Sequence, residues 1–205
     1  MEQIISTPRL KLKLITQAGS GSTELAWLHT IYSDEKATFW SPSPTQKRRR
    51  ADCWPRQRTA YSAPPLPCTS FLAATAIHNA RFSGTTAKKD EAGPPEDGGA
   101  GGALTVEVAY MFLPGAWGRG FATEAVSALL LAASASSLLL RRPLYVRAIV
   151  NGDNAASMRV MDKVAVAGRR MSQRGIYHWA GEPIFHGGRW RAEADLWVYG
   201  MYLVW

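Results

Sequence analysis

Leu104–Ala133 reads LTVEVAYMFLPGAWGRGFATEAVSALLLAA. An alternating run, Leu104–Phe112, predicts a strand, and an amphipathic run from Phe121 predicts a helix. Between them lies Gly115-Ala-Trp-Gly118-Arg119-Gly120, directly ahead of the helix. A helix start exposes unpaired backbone N–H groups and the positive end of the helix dipole, so it collects an anion. Gly118 and Gly120 carry no Cβ, which lets a phosphate approach the main chain. Arg119 between them offers a charged fork to the same phosphate. The stretch therefore predicts a site for a phosphorylated ligand.

The order of the glycines narrows the ligand. A dinucleotide site calls for G-x-G-x-x-G and an acid about 20 residues later. Here the order is G-x-x-G-x-G, and Leu140–Arg142 offers no acid. A P-loop ends in Gly-Lys-Ser/Thr, whereas this turn continues Gly120-Phe121-Ala122. Trp117-Gly118-Arg119-Gly120-Phe121-Ala122-Thr123-Glu124-Ala125 resembles the coenzyme A signature of the Gcn5-related N-acetyltransferase (GNAT) superfamily, in its RimJ/RimL-type branch. That signature runs Q/R-x-x-G-x-G/A into a helix often opening A-T-E-A. Trp117 departs from its first position.

Three further segments carry the same resemblance in the same order. Ser6-Thr-Pro-Arg9-Leu10-Lys-Leu12 is similar to the branch's opening T-x-R-L-x-L strand. Tyr145–Lys163, YVRAIVNGDNAASMRVMDK, resembles its strand, polar turn and helix, with Asn154, Ser157 and Lys163 at the matching positions. Arg174-Gly-Ile-Tyr-His-Trp179 resembles a later R-G-x-Y-x-W segment.

The resemblance implies an α+β (three-layer α/β) fold: a central mixed, mostly antiparallel sheet flanked by helices, forming one domain over residues 1–205. Two parallel strands, Leu104–Phe112 and Leu144–Val150, would be joined through the helix Phe121–Ala135 by a right-handed crossover and splay apart. Acetyl-CoA is the implied co-substrate. Its pantetheine would lie in the gap, pairing with backbone at Met111, Phe112 and Leu113 and reached by Asn154 from the far side. The pyrophosphate would rest on Trp117, Gly118, Arg119, Gly120, Phe121 and Ala122, with Thr123 completing the signature. Asn154 is equally readable as a helix cap beside Asp153.

Acetyl transfer to an amine needs a base, since an α-amine titrates near about 8 and lysine near about 10.4. Glu107 is the candidate. It shares a strand face with Thr105, Ala109 and Met111, opposite Val106, Val108, Tyr110 and Phe112. Among such small and apolar neighbours a carboxylate would be shifted toward the range of a base. The resemblance places a catalytic Glu on this strand. A backbone N–H near Met111 would meet the oxyanion. Ser157 is the candidate proton donor to the leaving thiolate, because Met161 stands where many relatives carry a Tyr. Glu124 supports the helix dipole.

Composition agrees with a globular chain: 205 residues, 46% hydrophobic and 20% charged, long enough for a full core. Cys53 and Cys68 imply neither a disulfide framework nor a metal spacing, and His29, His78, His178 and His186 are scattered. No metal is expected. The opening MEQIISTPRLKL reads as no secretory signal, and Ala125–Leu140 is too short and serine-rich to span a membrane. An intracellular, cytoplasmic protein is expected. Lys47, Arg48, Arg49, Arg50, Arg56 and Arg58 against Asp52 carry +5 of the net +8. Without a recognition-helix pattern this reads as a solvated loop rather than a nucleic-acid contact.

Elsewhere a strand is expected over Arg9–Ile15. A helix is expected over Thr23–Ser33, capped by Ser22 or Thr23 and facing inward through Leu25, Leu28, Ile31 and Tyr32. Phe71–Ile77 reads as a strand. Trp179, Trp190, Trp197 and Trp205 read as core and strand-face residues. Residues 41–70 show neither period where the family would hold substrate-binding helices and a strand. Either this is a divergent loop or the stretch was translated in a wrong frame. Ala87–Ala103 reads as a flexible insertion. The expected function is acetyl transfer from acetyl-CoA to a primary amine, of a protein N-terminus or a small molecule. Two alternatives are a coenzyme A-binding protein without an acceptor site and a basic nucleic-acid-associated protein that kept the fold.

Overall fold

The computed structural model describes residues 4–15, 20–40, 59–62, 73–79, 104–140 and 144–204. Ten strands and three α-helices lie among them: β1 Ile4–Ser6, β2 Lys11–Ile15, α1 Thr23–Ser33, β3 Thr59–Ser62, β4 Ala73–Asn79, β5 Leu104–Phe112, α2 Phe121–Leu140, β6 Leu144–Asn151, α3 Ala155–Lys163, β7 Ala165–Val166, β8 Arg169–Arg170, β9 Ser172–His186 and β10 Arg189–Val204. Eight strands form one sheet in the order β1-β2-β3-β4-β5-β6-β10-β9, and β7-β8 forms a small hairpin. Every neighbouring pair in the large sheet is antiparallel except β5–β6. This is the mixed, mostly antiparallel sheet that the resemblance implies.

Burial follows the sequence periods. On β5, Val106, Val108 and Phe112 are buried at period two. β6 is buried almost throughout, as a strand in a parallel pair covered on both faces must be. One apolar cluster joins Val106 and Val108 to Val126 and Leu130 of α2, to Val146 and Ala148 of β6, and to Met161 of α3. A second gathers Leu10, Leu12, Phe112, Ala116, Phe121 and Ala125 beneath the glycine-rich turn.

α1 has the expected bounds, and Ser22 is its cap, its hydroxyl accepting from the Leu25 N–H at 3.1 Å. Leu28 and Ile31 are buried, but Leu25 is 36% exposed. Each three-residue step turns the stripe back by about 60°, so Leu25 stands about 120° from Ile31. The strand expected over Arg9–Ile15 is β2, which begins later than expected, at Lys11, because Thr7–Leu10 forms a turn closed by Thr7 N–H to Leu10 O at 2.8 Å; β1, just before that turn, was not expected. α2 runs past the expected Ala135 to Leu140. Neither Gly nor Pro interrupts it before Pro143.

The expectation of no strand within 41–70 is corrected by β3, which pairs with β2 on one side and β4 on the other. Four residues are too few to show a period, and backbone pairing on both edges sustains them. β4 lies two residues beyond the expected Phe71–Ile77. The basic run 47–58, Cys53, Cys68, Trp205 and Ala87–Ala103 lie outside the described residues. Trp190 is a strand-face residue of β10 rather than a core one: it is 68% exposed and packs edge-on to Phe185 across the β9–β10 hairpin end, where a ring is covered on one side only. Among the described residues no helix is long and apolar enough to cross a membrane.

Candidate active site

The parallel ladder between β5 and β6 is short. It pairs Leu104 with Leu144, Thr105 with Tyr145, Val106 with Val146 and Glu107 with Arg147, then stops. β5 continues to Phe112 against β4, and β6 continues to Asn151 against β10. The two strands therefore part after Glu107, as the resemblance implies, and leave a cleft inside the sheet.

Glu107 occupies the last rung. The expected small and apolar surroundings are not what it meets: Arg147 of β6 reaches Oε2 with both Nε and Nη2 at 3.3 Å. The Arg147 side chain is buried, and that of Glu107 is 23% exposed. A parallel pair aligns residues directly across the ladder, so an acid and an arginine on matching rungs meet. The alternation on β5 alone could not reveal this; the register with β6 does.

The glycine-rich turn follows the end of β5 that has parted from β6. A short 3₁₀ turn, Pro114–Ala116, carries the chain away from β5. Trp117 N–H, the first of the expected phosphate-facing amides, donates to Pro114 O at 3.0 Å. Its indole is half-exposed, and Nε1 donates to Phe112 O at 2.8 Å. The indole bond takes one of the two lone pairs of that carbonyl. Gly118 and Gly120 have φ of +70° and +78°, where an L side chain is strained. A Cβ on Gly118 would enter open space. Gly120 O accepts from Glu124 N–H at 3.1 Å and so starts α2. The amides that follow at Phe121, Ala122 and Thr123 are the helix's first donors.

An arginine from the amino end braces this turn. Glu124 accepts from the Thr7 hydroxyl at 2.6 Å, from Arg9 N–H at 3.1 Å and from Arg9 Nε at 2.7 Å, with Arg9 Nη2 at 2.6 Å. Arg9 Nη1 also donates to Arg119 O at 2.9 Å. The guanidinium groups of Arg9 and Arg119 lie 4.7 and 4.9 Å from the centre of the Phe121 ring. Burial pushes the Glu124 carboxyl up, but the Thr7 hydroxyl and Arg9 outweigh it and hold it below the usual carboxylate value. Glu124 is thus a hub between two distant segments, beyond the helix-dipole role expected of it. The T-x-R-L and A-T-E-A segments were both visible in the sequence; their contact was not.

On the opposite wall, Asn154 caps α3, its Oδ1 accepting from Ser157 N–H at 3.1 Å. The cap reading is seen directly, and it engages Oδ1. The Tyr110 hydroxyl donates to Ser157 O at 3.3 Å, and burial pushes this phenol up to about 12. Met161 is fully buried. Met111 and Leu113, at and just past the end of β5, are half-buried.

A second cluster joins the end of β6 to the segment after α1. Asn151 Oδ1 accepts from Asp153 N–H at 2.9 Å, which leaves its amide nitrogen facing His186 Nδ1 at 3.4 Å. His186 Nε2 therefore carries the proton and donates to Trp40 O at 2.6 Å. Burial lowers the imidazole below its usual value; the Trp40 bond opposes this and Arg191 adds to it. Arg191 itself donates to Asp153 at 2.6 Å. Gly187 N–H donates to Phe39 O at 3.0 Å, so the β9–β10 hairpin is fastened to residues 39–40.

Comparison with known proteins agrees with this architecture. The chain is similar to a GNAT-family acetyltransferase from Bacillus anthracis, at 17% identity and a TM-score of 0.62, covering 98% of this chain and 99% of that one. It is similar to RimL, a ribosomal α-N-protein acetyltransferase in complex with coenzyme A, at 12% identity and a TM-score of 0.59, covering 97% of each chain. A spermidine N-acetyltransferase from Vibrio cholerae aligns at 11% identity and a TM-score of 0.57, over 96% of this chain and 95% of that one. No curated protein matches by sequence. The family model described as "Acetyltransferase (GNAT) domain" matches residues 10–166, and the chain belongs to the GNAT acetyltransferase family.

Proposed function

We propose that the chain, as one domain, transfers an acetyl group from acetyl-CoA directly to a primary amine. The observation that carries this reading is the ladder that ends at Glu107 and Arg147 beside a glycine turn at the head of α2. Acetyl-CoA would supply the activated acyl group as a thioester. Its diphosphate fits the turn: Gly118 has open space where a side chain would stand, and the first α2 donors face outward. In this reading Gly118, Arg119, Gly120, Phe121, Ala122 and Thr123 hold the diphosphate. Met111 and Leu113 offer backbone groups to the carrier arm.

Glu107 accepts the amine proton, directly or through a water, while Arg147 fixes the direction of its carboxylate. A backbone N–H near Met111 meets the oxyanion. Ser157, at the head of α3, relays a proton to the departing sulfur. RimL and the spermidine enzyme act on a protein and on a polyamine respectively, and both acceptor kinds, a protein N-terminus or a small amine, fit this reading.

The test is binding followed by turnover. Acetyl-CoA at about 100 times its Kd stabilises a folded protein by about 2.7 kcal/mol, a Tm rise of about 5–10 °C in a domain of this size. Thiol release should then appear with members of an amine and peptide panel. No thermal shift and no saturable heat on titration would refute the proposal. Binding without thiol release for any amine would leave a coenzyme A-binding protein.

A further inference from the structure

Tyr110 stands three residues past the last β5–β6 rung, on the wall of the cleft that β6 has left. Its ring packs against both apolar clusters. Its hydroxyl crosses to the opposite wall and donates to Ser157 O at 3.3 Å. That carbonyl lies in the first turn of α3, one turn before Met161. In the proposed function the carrier arm enters where β5 and β6 part, and the Tyr110 hydroxyl bridges β5 to the head of α3 beyond that point. At 3.3 Å the bond is long for O–H···O, and a helix carbonyl keeps its intrahelical donor. The hydroxyl therefore gives up little by turning to a stronger acceptor.

We infer that Tyr110 donates a hydrogen bond to the sulfur that leaves during acetyl transfer, supplying from the strand the phenol that α3 lacks at Met161. The inference rests on the proposed function. The amine lone pair forms the new N–C bond, and the amine proton goes to Glu107. The C–S bond breaks with its electron pair on sulfur, which leaves as a thiolate. A thiol titrates near about 8.5, well below this phenol, so the Tyr110 proton stays on oxygen. Tyr110 stabilises the thiolate without becoming a phenolate, and the sulfur takes its proton afterwards through Ser157 or solvent.

The ultraviolet absorbance of the thiolate reads this directly. Coenzyme A bound to the wild-type protein should titrate its thiol at lower pH than free coenzyme A. Tyr110→Phe should return the titration toward the free value. The same variant should lower kcat about 10- to 100-fold, the loss of one charge-assisted hydrogen bond, with KM for acetyl-CoA unchanged. A thiol that titrates at its free value in the wild-type complex overturns the inference. So does a Tyr110→Phe protein with unaltered titration and kcat, and in both cases turnover by the wild type leaves acetyl transfer standing. Failure of the wild type to bind coenzyme A overturns the proposed function and this inference together.

Discussion

Glu124→Ala tests the brace between the amino end and the glycine turn. The carboxylate receives the Thr7 hydroxyl, the Arg9 N–H and the Arg9 guanidinium, and its side chain is 15% exposed. Hydrogen bonds to a charged acceptor are worth about 1.5–3 kcal/mol when shielded, and exposed ion pairs contribute about 0–1 kcal/mol. Arg9 is half-exposed, so its guanidinium belongs to the second class. Thr7 and the Arg9 N–H find water in the variant. The expected loss is about 2 kcal/mol, a Tm drop of about 4–8 °C. The carboxyl is held below its usual value in the folded state. Its contribution is therefore complete above the unfolded carboxylate pKa of about 4.3 and fades as pH falls through the lower folded value. Thermal melting of both proteins from neutral to acid pH measures this. Equal Tm at neutral pH, or a Tm difference that widens toward acid, would refute the reasoning.

Gly120→Glu should abolish acetyl-CoA binding measured by isothermal titration, since it adds a strained side chain at φ +78° and a negative charge at the diphosphate's place. Tight retention would contradict the proposed cradle. Glu107→Gln should lower kcat about 10²–10⁴-fold, the range of a positioned base, while leaving acetyl-CoA affinity intact; unchanged turnover removes Glu107 from the mechanism. His186 is lowered in the folded protein, so it contributes stability above the unfolded value of about 6.5 that is lost as pH falls toward the folded one. Wild-type Tm should decline across that window more than the Tm of His186→Gln, and parallel declines would show that the imidazole is not responsible.

What could be read from the chain follows the range of the interactions. β5, α1 and the start of α2 carry their own periods, caps and glycines, so Leu104–Phe112, Thr23–Ser33 and Phe121 were fixed by local pattern. β3 was missed because Thr59–Ser62 is held by its neighbours on both sides rather than by a period of its own. The same division runs through the site. Gly118 and Gly120 announce their conformation by residue type, and both have positive φ. The partners of Glu107 and Glu124 lie 40 and 115 residues away. Only the register of β5 on β6 and the fold-back of Arg9 bring them together. Motif position likewise could not show that the Trp117 amide and indole both bond to backbone nearby, at Pro114 O and Phe112 O.

β5 is an interior strand for its first half and a border for its second, because its partner departs after Glu107. Among the described residues no strand pairs with β5 along that border, so a guest with peptide-like amides can complete the seam as a missing strand would. Occupancy should then be legible in amide hydrogen exchange. Slowing would be concentrated on Val108–Phe112 and the facing end of β6, with little change in the β9–β10 hairpin, and the molecule would become stiffer along one line rather than throughout.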